Sequence, residues 1–334
     1  MKVWLASMLI LAALWAQAPP DADLSRAVQI RPKDSRLQNA YGIALQQQGR
    51  FEESLAHFRI ALQLDPKYAD AAHNLALALL AGNRPAEALE ILDKHPSTTA
   101  DHFALMGSAL NALGRTADAI APLRRACELA PGSQDYAYDF AIALLKSEKA
   151  EDASVVLKRA RTRFPNSAKI HAASGVLAYH NGKNDDAARE YEAATRLEPG
   201  AADLWAALGD VYGATDNALK ADVAYSRAVK LDPAIAEYRV KMGRNLLKLQ
   251  RAEDAESAFR KATEIDANDA EAHFQLGKLA FARGDNTSAI RHYENAVASR
   301  PSYNAAWYQL SLSYRRSGQE ERARAALENF RKTQ

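Results

Sequence analysis

The chain is 334 residues long and almost neutral, with 43 Lys and Arg against 41 Asp and Glu and a formal net charge of +2. A nucleic-acid partner ordinarily calls for a strongly basic face, so this balance argues against one. One cysteine, Cys127, excludes an internal disulfide, and its place in a helical segment suits small apolar packing better than nucleophilic chemistry.

Residues 1–18 read as a targeting element. Lys2 is followed by an apolar run through Trp15 and then by Ala16-Gln17-Ala18, the order of a secretory signal. The run is shorter than the roughly 20 residues that a spanning helix needs. Export to the periplasm or beyond is the expectation. Pro19 directly after the cut hinders a signal peptidase, so an anchor that stays on and ties the chain to the membrane remains open. So does an apolar helix packed on the rest of a cytosolic chain. No cysteine follows the run to carry a bacterial lipid. Next, Leu24, Ala27, Ile30 and Pro32 predict a lone leading helix over 22–31.

A 34-residue rhythm then takes over. Gly107, Ala141, Gly175, Gly209, Gly243, Gly277 and Ser311 keep that interval, as do Ala119, Ala153, Ala187, Ala221, Ala255, Ala289 and Ala323, and Ala126 through Ala296. Between successive small residues lie two helical segments with apolar positions three and four apart, as in Trp205, Leu208, Tyr212 and Ala221, Tyr225, Ala228, Leu231. Turn chemistry such as Asn181-Gly182-Lys183 separates the two segments. Leu64-Asp65-Pro66, Leu197-Glu198-Pro199 and their counterparts close each pair, because proline lacks an N–H and disfavours helix in the residue before it. Ala267 stands where one such proline belongs, which predicts a smoother exit there.

With small, aromatic and proline positions recurring in phase, the chain resembles the tetratricopeptide repeat family. The resemblance implies an all-α fold, a right-handed superhelical solenoid of helix pairs spanning 19–334. Nine units then start near residues 35, 69, 100, 134, 168, 202, 236, 270 and 304. The second unit runs out early at Lys94-His95-Pro96-Ser97, so its second helix should be about a turn short.

In this family the first helix of each unit lines a concave face that receives extended or helical peptides. The corresponding positions hold Tyr138 and Tyr179 in the middle units and Lys241, Arg244, Lys248, Phe274, Lys278, Phe281, Tyr308 and Arg315 in the later ones. Cations alternating with aromatics suit an extended protein partner that carries carboxylates and apolar anchors. Glu237 and Glu271 lie in the same stretch and neutralise part of it. An ordinary solvated face with scattered aromatics explains the same residues. The Lys and Asn clamp of chaperone-tail binding relatives is absent, since the fifth positions run from Asn39 and His73 to Phe274 and Tyr308. The asparagine ladder of sugar-transferring relatives is absent too, with only Asn74 in place.

No chemistry emerges from the motifs. The eight histidines are dispersed, no glycine-rich phosphate loop or Gly-x-Ser-x-Gly elbow occurs, and Asp185-Asp186 opens a helix, where acids complement the dipole. Neither catalytic residues nor a metal or cofactor are expected. The sequence therefore predicts an exported, non-catalytic scaffold or adaptor of the cell envelope that binds protein partners in its groove. A binding module for an acidic polymer or glycan is the alternative, and an enzyme with a non-standard site comes third.

Overall fold

The computed structural model describes residues 21–333, so the leader expected at 1–18 lies outside it. Among the described residues there are nineteen helices and no strand, and no helix is long and apolar enough to cross a membrane. The chain divides into two compact units, the first ending at Phe164 and the second beginning at Pro165. The first holds α1 (Asp21–Ile30), α2 (Ser35–Gln47), α3 (Phe51–Leu64), α4 (Ala69–Ala81), α5 (Pro85–Lys94), α6 (Ala100–Ala112), α7 (Thr116–Leu129), α8 (Gln134–Lys146) and α9 (Ala150–Arg163). The second holds α10 (Ala168–His180), α11 (Asn184–Leu197), α12 (Ala202–Ala214), α13 (Ala218–Leu231) and α14 (Ala236–Lys248). It continues with α15 (Ala252–Ile265), α16 (Ala270–Ala282), α17 (Asn286–Ser299), α18 (Asn304–Arg316) and α19 (Glu320–Lys332).

From α2 on, the helices pack as consecutive antiparallel pairs joined by short turns. Caps start many of them: Asp34, Thr99, Ser133, Ser167 and Asp269 each accept a backbone N–H of the first turn that follows. Prolines end them. Asp65 and Asp232 are extended before Pro66 and Pro233, as the ring of the following proline requires. Helix α5 is ten residues long where α3 has fourteen, a full turn less, and His95 before Pro96 leaves the helix.

One contact closes each pair. A methyl group added to Gly42, Gly107, Gly175, Gly209, Gly243 or Gly277 would stand 2.4–2.8 Å from Phe58, Leu123, Tyr191, Tyr225, Phe259 or Tyr293 respectively. Where the small residue is Ala76, Ala141 or Ser311, the residue at the matching place is not a ring but Leu92, Leu157 or Leu327. The second helix is held just as closely by fully buried alanines, Ala119, Ala187, Ala221, Ala255 and Ala289 among them. Leu208 and Tyr225 are buried as the sequence pattern requires, whereas Trp205 and Leu231 are only half-buried.

Trp205 sits at the edge because its indole N–H has a separate task, donating to the Pro199 carbonyl at 3.0 Å. The same bond recurs in four other pairs, from Gln38 to Pro32, His171 to Pro165, His273 to Ala267 and Trp307 to Pro301. It ties the fourth residue of a first helix to the turn before it. The bond also accounts for a difference from the sequence reading: the junction at Ala267 is no smoother than the others. Asp266 is as extended as Asp232, and a turn follows although the proline is missing, because the His273 ring holds the Ala267 carbonyl.

The turn within each pair contains one residue of left-handed backbone. Glycine fills it at Gly49, Gly114, Gly182, Gly284 and Gly318, while Asn83, Glu148, Asp216 and Gln250 hold it with φ of 57–59°. A Cβ there costs about 1–2 kcal/mol.

Two stability predictions follow from this geometry. Gly209→Ala is expected to lower stability by about 1–3 kcal/mol through overpacking on Tyr225, and adding Tyr225→Leu is expected to recover part of it, after the Ala141 and Leu157 pattern. Gln250→Gly is expected to raise stability by about 0.5–1 kcal/mol, with relief of the left-handed strain outweighing the flexibility that glycine adds to the unfolded chain. Chemical denaturation of the single and double variants checks both.

Candidate functional site

The candidate binding face of the second unit is built by the first helices of successive pairs. Helix α12 touches α14 and α16 touches α18. Packing uses the fourth and eighth places of each first helix, and the candidate lining stands at the second, fifth, sixth, ninth, twelfth and thirteenth.

At these places the structure sorts the candidate residues into three groups. The first is committed to the protein itself. Lys241 Nζ bonds Asp210 Oδ2 at 2.7 Å and Glu237 Oε1 at 3.0 Å. Burial is the largest influence on this ammonium and lowers its pKa, but the bonds and charges of Asp210 and Glu237 together outweigh it and the pKa is raised. Lys248 Nζ donates to the Gly213 carbonyl at 2.7 Å. Phe274, nine-tenths buried, packs its ring 4.8 Å from Tyr303 and 5.9 Å from Tyr293, so it supports the face from beneath.

The second group is aromatic and accessible. Tyr179 and Tyr308 are exposed, the latter with its ring 5.4 Å from that of Phe330. Phe281 is half-buried, with the Arg316 guanidinium 5.1 Å from its ring centre. Tyr138, half-buried, belongs to the first unit.

The third group is cationic and uncommitted. Arg244, Lys278 and Arg315 are exposed and make no ion pair among the described residues. Lys278 Nζ lies 5.7 Å from the Phe274 ring centre, a cation held over an aromatic surface. Arg244 lies near the hydroxyls of Tyr225 and Tyr303 and lowers the pKa of each, although burial, the dominant influence, raises both.

Asp210 is a residue that the sequence reading missed. It occupies the same ninth place as Arg244 and Lys278 and receives both Lys241 and the Tyr225 hydroxyl, the latter at 2.8 Å. Reading that place unit by unit reveals the change from acid to base. Glu271 is likewise engaged, by the Tyr303 hydroxyl at 2.5 Å and by Gln275 Nε2 at 2.7 Å. No group of three or more His, Cys, Asp or Glu that could hold a metal occurs among the described residues. Half-buried Cys127 has its thiol pushed up to about 12, chiefly by burial, and is held protonated.

Tetratricopeptide repeat profiles match residues 45–113, 110–177, 175–236, 240–289 and 274–330. The chain belongs to the tetratricopeptide repeat family, whose members serve as protein-interaction scaffolds. No curated protein matches it. Among solved structures, PilF of Pseudomonas aeruginosa superposes with a TM-score of 0.55 at 18% identity, covering 66% of this chain and 97% of that one. MamA gives 0.45 at 22% identity, covering 50% and 91%, and YrrB, described as having an unusual peptide-binding site, gives 0.44 at 21% identity, covering 53% and 92%.

Lys241→Met is expected to cost roughly 1.5–3 kcal/mol, because Asp210 and Glu237 lose their shared cation. The raised pKa means that this contribution is present below the unfolded pKa of about 10.4 and fades as pH rises through the folded value. Denaturation of both proteins at neutral and alkaline pH measures it, and the gap between them should narrow at the alkaline end.

Proposed function

We propose that the chain is a non-catalytic scaffold of the cell envelope that takes an extended, acidic segment of a protein partner along the first-helix face of its second unit. The observation that carries this is the row of uncommitted cations, Arg244, Lys278 and Arg315, next to Phe281 and Tyr308. A guanidinium without an internal carboxylate can grip one from outside in two-pronged fashion. The aromatics supply contact area that does not depend on charge. Among the described residues the face itself keeps Asp203, Asp210, Glu237 and Glu271, and each already has a partner, the Tyr238 hydroxyl in the case of Asp203.

Placement in the envelope rests on residues 1–18, with Lys2, the apolar run and Ala16-Gln17-Ala18 as its support. Whether the leader is removed is read by sequencing the N-terminus of the protein recovered from a membrane-and-periplasm fractionation. An intact leader in the cytosolic fraction would refute the placement.

Selection of binders from a random pool of extended peptides tests the face. Enrichment of Asp and Glu interspersed with apolar residues is the expected outcome. Arg244→Glu with Lys278→Glu should weaken the selected peptides by about tenfold or more. Phe281→Ala should weaken them with an unchanged salt dependence, because no charge is lost. Affinity that survives every one of these changes moves the site elsewhere on the protein. Binding that collapses with salt and prefers polyanions over peptides assigns the face to an acidic polymer.

A further inference from the structure

The fourth place of the first helix, which carries the bond to the preceding turn, also faces a residue of the second helix. The two places vary together. Trp205 and Trp307 stand against Ala224 and Ala326, small partners for a large ring. Where the fourth residue is smaller and polar, its partner is polar as well. Gln38 Oε1 meets His57 Nδ1 at 2.6 Å, and His171 Nδ1 meets Glu190 Oε2 at 2.7 Å. In the pair formed by α16 and α17 both residues are histidine, and His273 Nδ1 stands 3.2 Å from His292 Nδ1.

This last contact can hold only one hydrogen. His273 Nε2 donates to the Ala267 carbonyl at 3.1 Å, which fixes the tautomer and leaves Nδ1 with a lone pair. The hydrogen between the rings therefore belongs to His292 Nδ1. A first added proton goes to the remaining nitrogen of His292. A second has only His273 Nδ1 available, where it would confront the N–H of His292.

The surroundings oppose even the first. Facing His292 are Arg260 and Glu256 of α15, His273 of α16, and Arg291 and the capping Asp285 of its own helix. Glu256, the one carboxylate of α15 in that set, is already bonded to Arg260 and Arg283, and Asp285 caps α17 through the Ser288 N–H at 3.0 Å. Burial first, then His273, Arg291 and Arg260, hold the His292 imidazole down at about 4, with Glu256 acting the other way.

We propose that the His273–His292 contact makes the α16–α17 pair an acid-sensitive joint, held closed by one shared hydrogen and loosened when the buried His292 ring gains a proton. The sign follows from linkage: a depressed histidine contributes stability that is present above the unfolded pKa of about 6.5 and is lost as pH falls toward the folded value. The joint adjoins the candidate binding face, since Phe274 and Tyr293 follow the two histidines directly and pack against each other with tilted rings. The inference itself needs only the joint.

Hydrogen exchange of the full chain, localised to residues 270–299 and corrected for the intrinsic pH effect, tests it. Local readout is needed because His57, His73 and His102 of the first unit are also held down by burial. Between about pH 7 and pH 5, protection there is expected to fall roughly tenfold in the wild type. His273→Trp with His292→Ala copies the pattern of Trp205 and Ala224, keeps a ring N–H for the Ala267 carbonyl, and should remove most of that fall. Should this double variant lose its helical circular dichroism, His273→Gln carries the test. It copies Gln38 against His57, offers the His292 N–H a permanent acceptor, and should cut the fall at least about threefold. No acid-dependent loss in the wild type, or an equal loss in the folded variants, overturns the proposal.

Discussion

Each helix pair closes on the contact between a small residue in the first helix and a ring or leucine in the second. With Gly209 against Tyr225 or Gly277 against Tyr293, the absent Cβ is the space in which the ring lies. Everything else in the pair follows from the close crossing this allows. The alanines of the second helix can be fully buried because the backbones are near, and the fourth residue of the first helix is brought within bonding distance of the preceding turn. Glycine faces a ring in five of the pairs, whereas Ala76, Ala141 and Ser311 are matched to leucine. In those three pairs a smaller partner makes room for the added Cβ, as dense packing requires, while Gly107 against Leu123 is small on both sides.

The crossing also decides where function can vary. Residues bound to the crossing or to the preceding turn cannot change without cost, so chemistry is confined to places that neither contact uses. At the ninth place the second unit carries Asp210, then Arg244, then Lys278, a reversal of charge on an unchanged scaffold. Asp210 is answered by Lys241 from the next first helix, and Arg244 and Lys278 have no such answer among the described residues. An internal ion pair and an uncommitted cation thus occupy equivalent places in successive repeats. Partner recognition belongs to the second kind, because a charge already paired and hydrogen-bonded gains little from a further partner.

Much of the fold was legible in the sequence because period, caps and prolines are local signals. Ser35, Ala69, Ala100 and their counterparts open helices, and Lys94-His95-Pro96 announced the short α5. The interior of the site was less legible. Phe274 lies at a groove position by spacing, yet Tyr303, contributed by the turn before the following helix, covers it. Lys241 reads as a free cation until Asp210, 31 residues earlier, is brought beside it. Both depend on contacts between neighbouring repeats, which a position within a repeat does not encode. Glu148 and Gln250 show the same limit in the turns, where tertiary packing imposes a left-handed backbone on residues with no local preference for it.

The fourth place shows how a repeat can vary without losing its architecture. Tryptophan, histidine and glutamine side chains all reach the same carbonyl, so the bond to the preceding turn survives the exchange. What changes is the second contact that each makes inside the pair: apolar packing for Trp205, a hydrogen bond with Glu190 for His171, and a single shared hydrogen for His273. These contacts respond differently to pH, since an indole does not titrate, whereas a proton gained by His292 adds a buried charge beside Arg260 and Arg291. Because the glycine and ring contact lies four places further along the same helix, this exchange leaves the crossing intact. The repeat therefore separates the residues that hold the pair together from those that set the conditions under which it loosens.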